Sequence, residues 1–162
     1  MKMKISRSDN EKIAVNIDVH CDIIKFDGNR ITDMVRQVAE RFGIDRAKIN
    51  FAVADDEEIT GLNSQFLNKN KTTDVISFDL SDEGKGEKFF DIAVNAQLAQ
   101  RQAEARGHSG QAELALYFLH GLLHNLGFDD ILAKDAVKMH KTEDEILEKF
   151  GLGTVYNNEK PE

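Results

Sequence analysis

A single cysteine, Cys21, occurs in the 162 residues. No disulfide can close within the chain and no C-x-x-C zinc knuckle exists, so any metal chemistry has to use other ligands, and a reducing cytosol suits such a protein. Proline is confined to Pro161, and there is no internal repeat or low-complexity linker. No stretch approaches the roughly 18 apolar residues of a membrane span. The start, MKMKISRSDNEKIAVNIDV, carries positive charge but lacks the apolar core and small-residue cleavage site of a secretion signal. The expectation is an untargeted cytoplasmic protein with no membrane partner. Basic residues are also in deficit, 21 Lys plus Arg against 29 Asp plus Glu for a formal net charge of -8. That balance disfavours nonspecific adhesion to nucleic acid or anionic lipid. It leaves room for an RNA substrate held through a divalent metal or a local cationic loop. The NKNK run at Asn68 to Lys71 is the one compact basic candidate, and it reads equally well as a solvated loop.

The length fits one domain, since domains run to about 100–200 residues. Residues 1–150 are read as that domain and 151–162, ending TVYNNEKPE, as a frayed tail. Between Lys12 and His20, Ile13, Val15, Ile17 and Val19 alternate with polar or small neighbours, the period of a half-buried strand. Asp27 to Asn29 then offer helix caps ahead of Ile31, Met34, Val35, Val38, Ala39 and Phe42, which recur at helical spacing and stop at Gly43. Lys48 to Ala54 reads as a second strand. The acids of DDEEITGLNSQFL suit the first turn of a second helix. Asp74 to Leu80 and Lys88 to Val94 are two more strands, close enough along the chain for a hairpin. After Asn95 three helical segments follow. Strands first and helices later predict an α+β domain, a small mixed sheet of about four strands packed with about five helices.

The segment Phe118 to Asp130, FLHGLLHNLGFDD, carries the chemistry. In a helix from about Gly110 to Leu126, His120 and His124 stand one turn apart on one face and can aim their imidazoles at a common ion. Gly127 supplies a stop that lets the chain reverse and return Asp130 toward the same point. Three ligands with a solvent position left over is the layout of a catalytic zinc, so one zinc ion per chain is expected on His120, His124 and Asp130. H-x3-H alone fits an apolar helix with two hydrogen-bonded histidines better than a metal site; the glycines and the acid pair shift the reading to the metal. Gly121 occupies the place of the glutamate base in H-E-x-x-H, which argues against a peptidase. Glu113, seven residues before His120, is read either as a group orienting water or as a surface or capping residue. Asp129 is read as a partner of a ligand's second ring nitrogen or as a turn former. Asp74 is read as a turn anchor, and His20, His108 and His140 as ordinary polar residues, His140 being the first substitute ligand.

HGLLHNLGFDD resembles the H-G-x-L-H-x-x-G-[YF]-D-H signature of the YbeY family of bacterial metal-dependent endoribonucleases. TDVISF at Thr73 to Phe78 and DIAVN at Asp91 to Asn95 are similar to that family's T-D-V-L-S-F and G-D-I strands, and Met139 and EILEKF fit downstream. The resemblance runs over about residues 50–150. It implies a cytoplasmic hydrolase that cuts single-stranded RNA with zinc, working on ribosomal RNA at the small ribosomal subunit in 3′ end maturation and ribosome quality control.

The chain departs from that pattern at four places. Asp130 stands where the third metal histidine falls, Leu67 where an arginine engages RNA phosphate, Phe90 at the usual glycine and Thr72 at the usual proline. Lys69 is kept, and with Lys71 it is the candidate for substrate contact. Leucine cannot make an arginine's bidentate phosphate contact. Asp130 adds negative charge that makes a water on the ion less acidic. An RNA-binding or ribosome-binding protein with weakened catalysis is therefore the alternative reading.

Overall fold

The computed structural model describes residues 3–6, 12–153 and 155. A five-stranded sheet in the order β1-β2-β3-β5-β4 forms the centre, from β1 (Met3–Ser6), β2 (Ile13–Val19), β3 (Ala47–Ala54), β4 (Val75–Asp79) and β5 (Lys88–Asn95). β2, β3 and β5 run parallel to one another, whereas β1 and β4 pair antiparallel at the two edges. The helices are α1 (Gly28–Arg41), α2 (Asp56–Leu67), α3 (Ala96–Arg106), α4 (Gly110–Asn125) and α5 (Ala133–Lys149). The expected α+β architecture holds, and the four expected strands are joined by β1 at the edge. The hairpin of β4 and β5 forms as the spacing suggested.

The alternation in the strands decides which face is filled. Ile13, Val15, Ile17 and Val19 of β2, Ile49, Phe51 and Val53 of β3, and Phe90, Ile92 and Val94 of β5 are buried in one cluster with α1 and α4. α4 is apolar nearly all round, with every residue from Ala112 to Leu119 buried, which suits a helix at the centre of a domain. Phe51 and Phe118 meet edge to face at 5.0 Å. Phe90, at a position where the sequence resemblance has glycine, fills part of this core. The opposite face holds a smaller cluster of Ala54, Ile59, Ile76 and Ala93, with Leu62 and Phe78 packed on it from the sides. Of the expected tail, residues 151–153 and 155 are described. Val155 is buried and donates its N–H to Asp144 Oδ1; residues 156–162 lie outside the described residues.

Caps follow the sequence closely. Asp27, Asp55, Asn95 and Ser109 each accept a hydrogen bond from the backbone N–H three residues on, starting α1, α2, α3 and α4. The start of α2 is locked further. Arg101 donates to both oxygens of Asp56 at 2.6 and 3.0 Å, and Thr72 and Asn95 donate to Oδ1. The Arg101 hydrogen bond, set against partial burial and helped by Asn95 and Thr72, holds the Asp56 carboxyl at about 2. A carboxylate whose pKa falls on folding contributes stability above its unfolded pKa and loses it as pH falls through the folded value. Stability of the wild type should therefore fall between about pH 4 and pH 2, and Asp56→Asn should flatten that limb in urea titrations. An unchanged acid limb in the variant would refute the assignment.

At Gly121, α4 lies against the hairpin so closely that a Cβ would sit 2.6 Å from Ile92 Cγ2 and 2.7 Å from Val75 Cγ1. Ser77 Oγ donates to the Gly121 carbonyl at 3.0 Å, sealing the contact. A glutamate here, as in H-E-x-x-H, has no room. Gly121→Ala should lower stability by about 1–3 kcal/mol through forced separation of helix and sheet, read as a lower urea midpoint. A midpoint unchanged from wild type would show that the contact yields freely.

Candidate metal centre

His120 and His124 leave the last two turns of α4 on the side facing β4. Leu126 and Gly127 then end the helix: Gly127 N–H donates to His124 O, Phe128 N–H to Leu123 O, and Gly127 adopts φ +101°, a region glycine enters without strain. The reversal brings Asp130 back over the helix. Asp130 Oδ2 lies 3.4 Å from His120 Nε2, and Oδ1 lies 3.8 Å from His124 Nε2. The three donors fall within 4.8 Å of one another, so the expected set is brought together and can hold a metal ion.

Hydrogen bonds fix which ring nitrogens face inward. His124 Nδ1 is 3.1 Å from the carbonyl oxygen of Phe128, which can only accept, so Nδ1 carries the proton. His120 Nδ1 is 2.7 Å from Glu143 Oε2. With both Nδ1 atoms used as donors, the two Nε2 lone pairs converge 3.0 Å apart. At that separation either one ring donates its Nε2 proton to the other or both lone pairs face a cation, and two nitrogens on a tetrahedral zinc stand about 3.3 Å apart. The chemistry of the donor set thus fits a small divalent cation. Asp74, Val75, Ser77 and Asn125 line the rest of a cleft of about 500 Å³ that opens this site to solvent.

Glu143 was not singled out by the sequence. It stands on α5, fully buried, with Oε1 lacking a hydrogen-bond partner among the described residues. Burial raises its carboxyl above the ordinary range against the pull of His120. Burial lowers His120 in turn, but the Glu143 hydrogen bond and the negative charges of Glu143, Asp74 and Asp130 outweigh it, and the imidazole is raised.

Other sequence candidates fall elsewhere. Asp129 accepts from Ile131 N–H as a turn former, and the carboxylate behind a ligand ring is Glu143. Glu113 is buried between His108 and Arg106, at 3.1 and 3.4 Å, in a separate hollow beyond Asp74. Asp74 anchors its turn by accepting from Val75 N–H and also lines the metal cleft. His20 pairs with Glu58. Lys69 and Lys71 are exposed on the loop between α2 and β4, outside the cleft lining.

Two outcomes are expected from this geometry. Glu143→Gln removes the charge behind His120 and should weaken zinc binding by about 10–100-fold, measured by competition with a chromophoric chelator while circular dichroism stays unchanged. Wild-type affinity should also fall with pH through the raised His120 range, by about tenfold per unit for one displaced proton. A flat profile between about pH 6 and pH 8 would contradict imidazole ligation.

The family model described as Endoribonuclease YbeY matches residues 16–151. Endoribonuclease YbeY of Nautilia profundicola is 40% identical over 128 residues, covering 79% of this chain and 86% of that protein. The protein of the same name from Macrococcus caseolyticus is 36% identical over 152 residues, covering 85% and 97%. The solution structure of TM1509 from Thermotoga maritima shares the fold, with a TM-score of 0.55 at 21% identity over 91% of this chain and 97% of that one. A family model spanning most of the sequence, and relatives of this similarity over most of their own length, place the chain in the YbeY endoribonuclease family.

Proposed function

We propose that the protein is a metal-dependent endoribonuclease that cuts single-stranded RNA with one zinc ion on His120, His124 and Asp130. Its place would be in the maturation of small-subunit ribosomal RNA 3′ ends and in ribosome quality control. The observation that carries the reading is the convergence of His120 Nε2 and His124 Nε2, 3.0 Å apart, beneath Asp130 in an open cleft. A divalent cation bound there supplies Lewis acidity toward a phosphoryl oxygen and toward the attacking water. The chain's own part is orientation. Glu143 and the Phe128 carbonyl hold the two rings with Nε2 forward, and the wall of Ser77 and Asn125 shapes the space beside them. Asp74 and Asp130 make the cleft anionic, a repulsion toward a phosphodiester that a cation held there would offset.

Leu67, 48% exposed at the end of α2, is an apolar group where the resemblance has an arginine. This favours the second reading, a binding protein of weakened catalysis, and one assay separates the two. In single-turnover cleavage of an unstructured RNA with verified zinc content, the wild type should cut, chelation or His120→Ala should abolish cutting, and Leu67→Arg should accelerate it by up to about tenfold. Asp130→His should keep or tighten zinc and move the optimum to lower pH, because losing a ligand's negative charge acidifies the activated water. An inert wild type and an inert Leu67→Arg, both with zinc in place, would leave the binding-protein reading standing.

A further inference from the structure

A second hollow lies on the opposite face of the sheet, separated from the metal cleft by the edge strand β4. Strand register explains its shape. One row across the sheet reads Asn16, Asn50, Asp91, Phe78, and the next reads Asp18, Ala52, Ala93, Ile76. The alanines leave a floor without bulk, while Leu62 and Phe66 of α2 rise on one side and Phe78 and Leu80 on the other. They enclose about 440 Å³. Phe66 is 56% exposed and meets Phe78 edge to face at 5.4 Å, leaving an aromatic surface open to solvent. Asn16 donates to Asn50, and Asn50 donates to Asp91 Oδ1, so the asparagine ladder leaves Asp91 Oδ2 outside these bonds as an acceptor at the floor.

The chemistry of the lining selects what fits. Its charged groups are Asp18, Glu58 and Asp91, with no lysine or arginine among the lining residues, so a phosphate is repelled. A flat neutral heterocycle is not: it can stack on Phe66 and donate an N–H to Asp91. The hollow and the metal cleft lie on either side of the same edge strand, β4. Phe78 walls one and Ser77, its neighbour along the strand, walls the other, and Asn125 of the metal cleft donates to the Phe78 carbonyl at 3.4 Å. Because β4 is an edge strand, a flexible single strand can pass over it from one hollow to the other.

We propose that this hollow is a nucleobase subsite: the single-stranded RNA whose phosphodiester lies at His120 and His124 crosses the edge of β4 and stacks a flanking unpaired base on Phe66. The inference rests on the endoribonuclease reading and deepens it, giving this side of the groove recognition of a base instead of a phosphate. Such a contact tolerates any base, as stacking does, while Asp91 favours an edge that presents N–H.

The test uses the zinc-loaded protein and a short single-stranded RNA in which each nucleotide flanking the cut is replaced in turn by an abasic one. Binding is read from the protein concentration giving half-maximal single-turnover cleavage, and separately from fluorescence anisotropy of the zinc-loaded protein with the same labelled RNA carrying a cleavage-resistant linkage at the cut. One abasic position should weaken binding by about tenfold, Phe66→Ala should weaken the intact RNA by a similar factor, and the two losses should not add. Phe66→Trp should restore binding. Cleavage that proceeds with no sensitive position, or with losses that multiply, would overturn the subsite and leave the nuclease reading intact. Absence of cleavage by wild type would strike the nuclease reading, while the anisotropy series still decides the subsite. If an arginine-rich peptide binds and is lost in Asp91→Asn while Phe66→Ala leaves RNA affinity unchanged, the hollow belongs to a basic protein segment and the proposal is wrong.

Discussion

The contact of α4 with β4 and β5 at Gly121 sets the position of the metal centre relative to the sheet. A helix packed on a sheet at ordinary distance would leave room for a side chain between them; here Ile92, Val75 and Ser77 occupy that room. The two histidines flank this contact, one residue before it and three after, so their Cα positions are set by the close approach of helix and sheet. Metal ligands need placement to a few tenths of an ångström, and a helix pressed onto a sheet supplies it without a dedicated scaffold. The same closeness removes the position where a peptidase of H-E-x-x-H type keeps its base.

Charge around this frame is arranged in layers. Glu143 lies fully buried behind His120, an arrangement that costs free energy because burial opposes both charged forms and Oε1 finds no hydrogen-bond partner among the described residues. Its return is tautomer control: the inner imidazole cannot turn Nδ1 toward the cleft without losing a 2.7 Å bond. Farther away, the network of Asp56, Thr72, Asn95 and Arg101 fastens α2 to β5 and to the loop before β4, which positions Phe66 and Leu67 relative to Phe78. The two hollows on either side of β4 are therefore set by separate supports.

The sequence revealed those parts whose signal is local. Alternation in β2 and β3, a cap at Asp27, acids in the first turn of α2, and the H-x3-H pair followed by a helix-stopping glycine are all readable within a dozen residues, and each stands where expected, with Asp55 itself taking the cap position before that turn. β1 escaped because MKIS is too short to show alternation and becomes a strand only by pairing with β2. Glu143 escaped because α5 is rich in acids, and nothing local separates the one that turns inward, 23 residues beyond His120, from those in solvent. The Phe128 carbonyl has no side-chain signature at all. Asp129 looked like the natural partner of a ligand ring by proximity along the chain, but the tight turn after Gly127 uses its carboxylate for Ile131 N–H. Glu113, on the right face by helical arithmetic, is two turns too far and is taken by His108 and Arg106.

The three ligand groups do not share one rigidity. His120 and His124 belong to a helix buried for most of its length, and moving them means disturbing the core. Asp130 sits on a partly exposed turn beyond Gly127, joined to the helix by a few backbone hydrogen bonds. Local opening follows the least protected segment, so an ion held here is released by a swing of the turn and not by unfolding. The residence time of an ion held there would be governed by that turn, and such an ion would exchange with the surrounding pool faster than the protein itself unfolds.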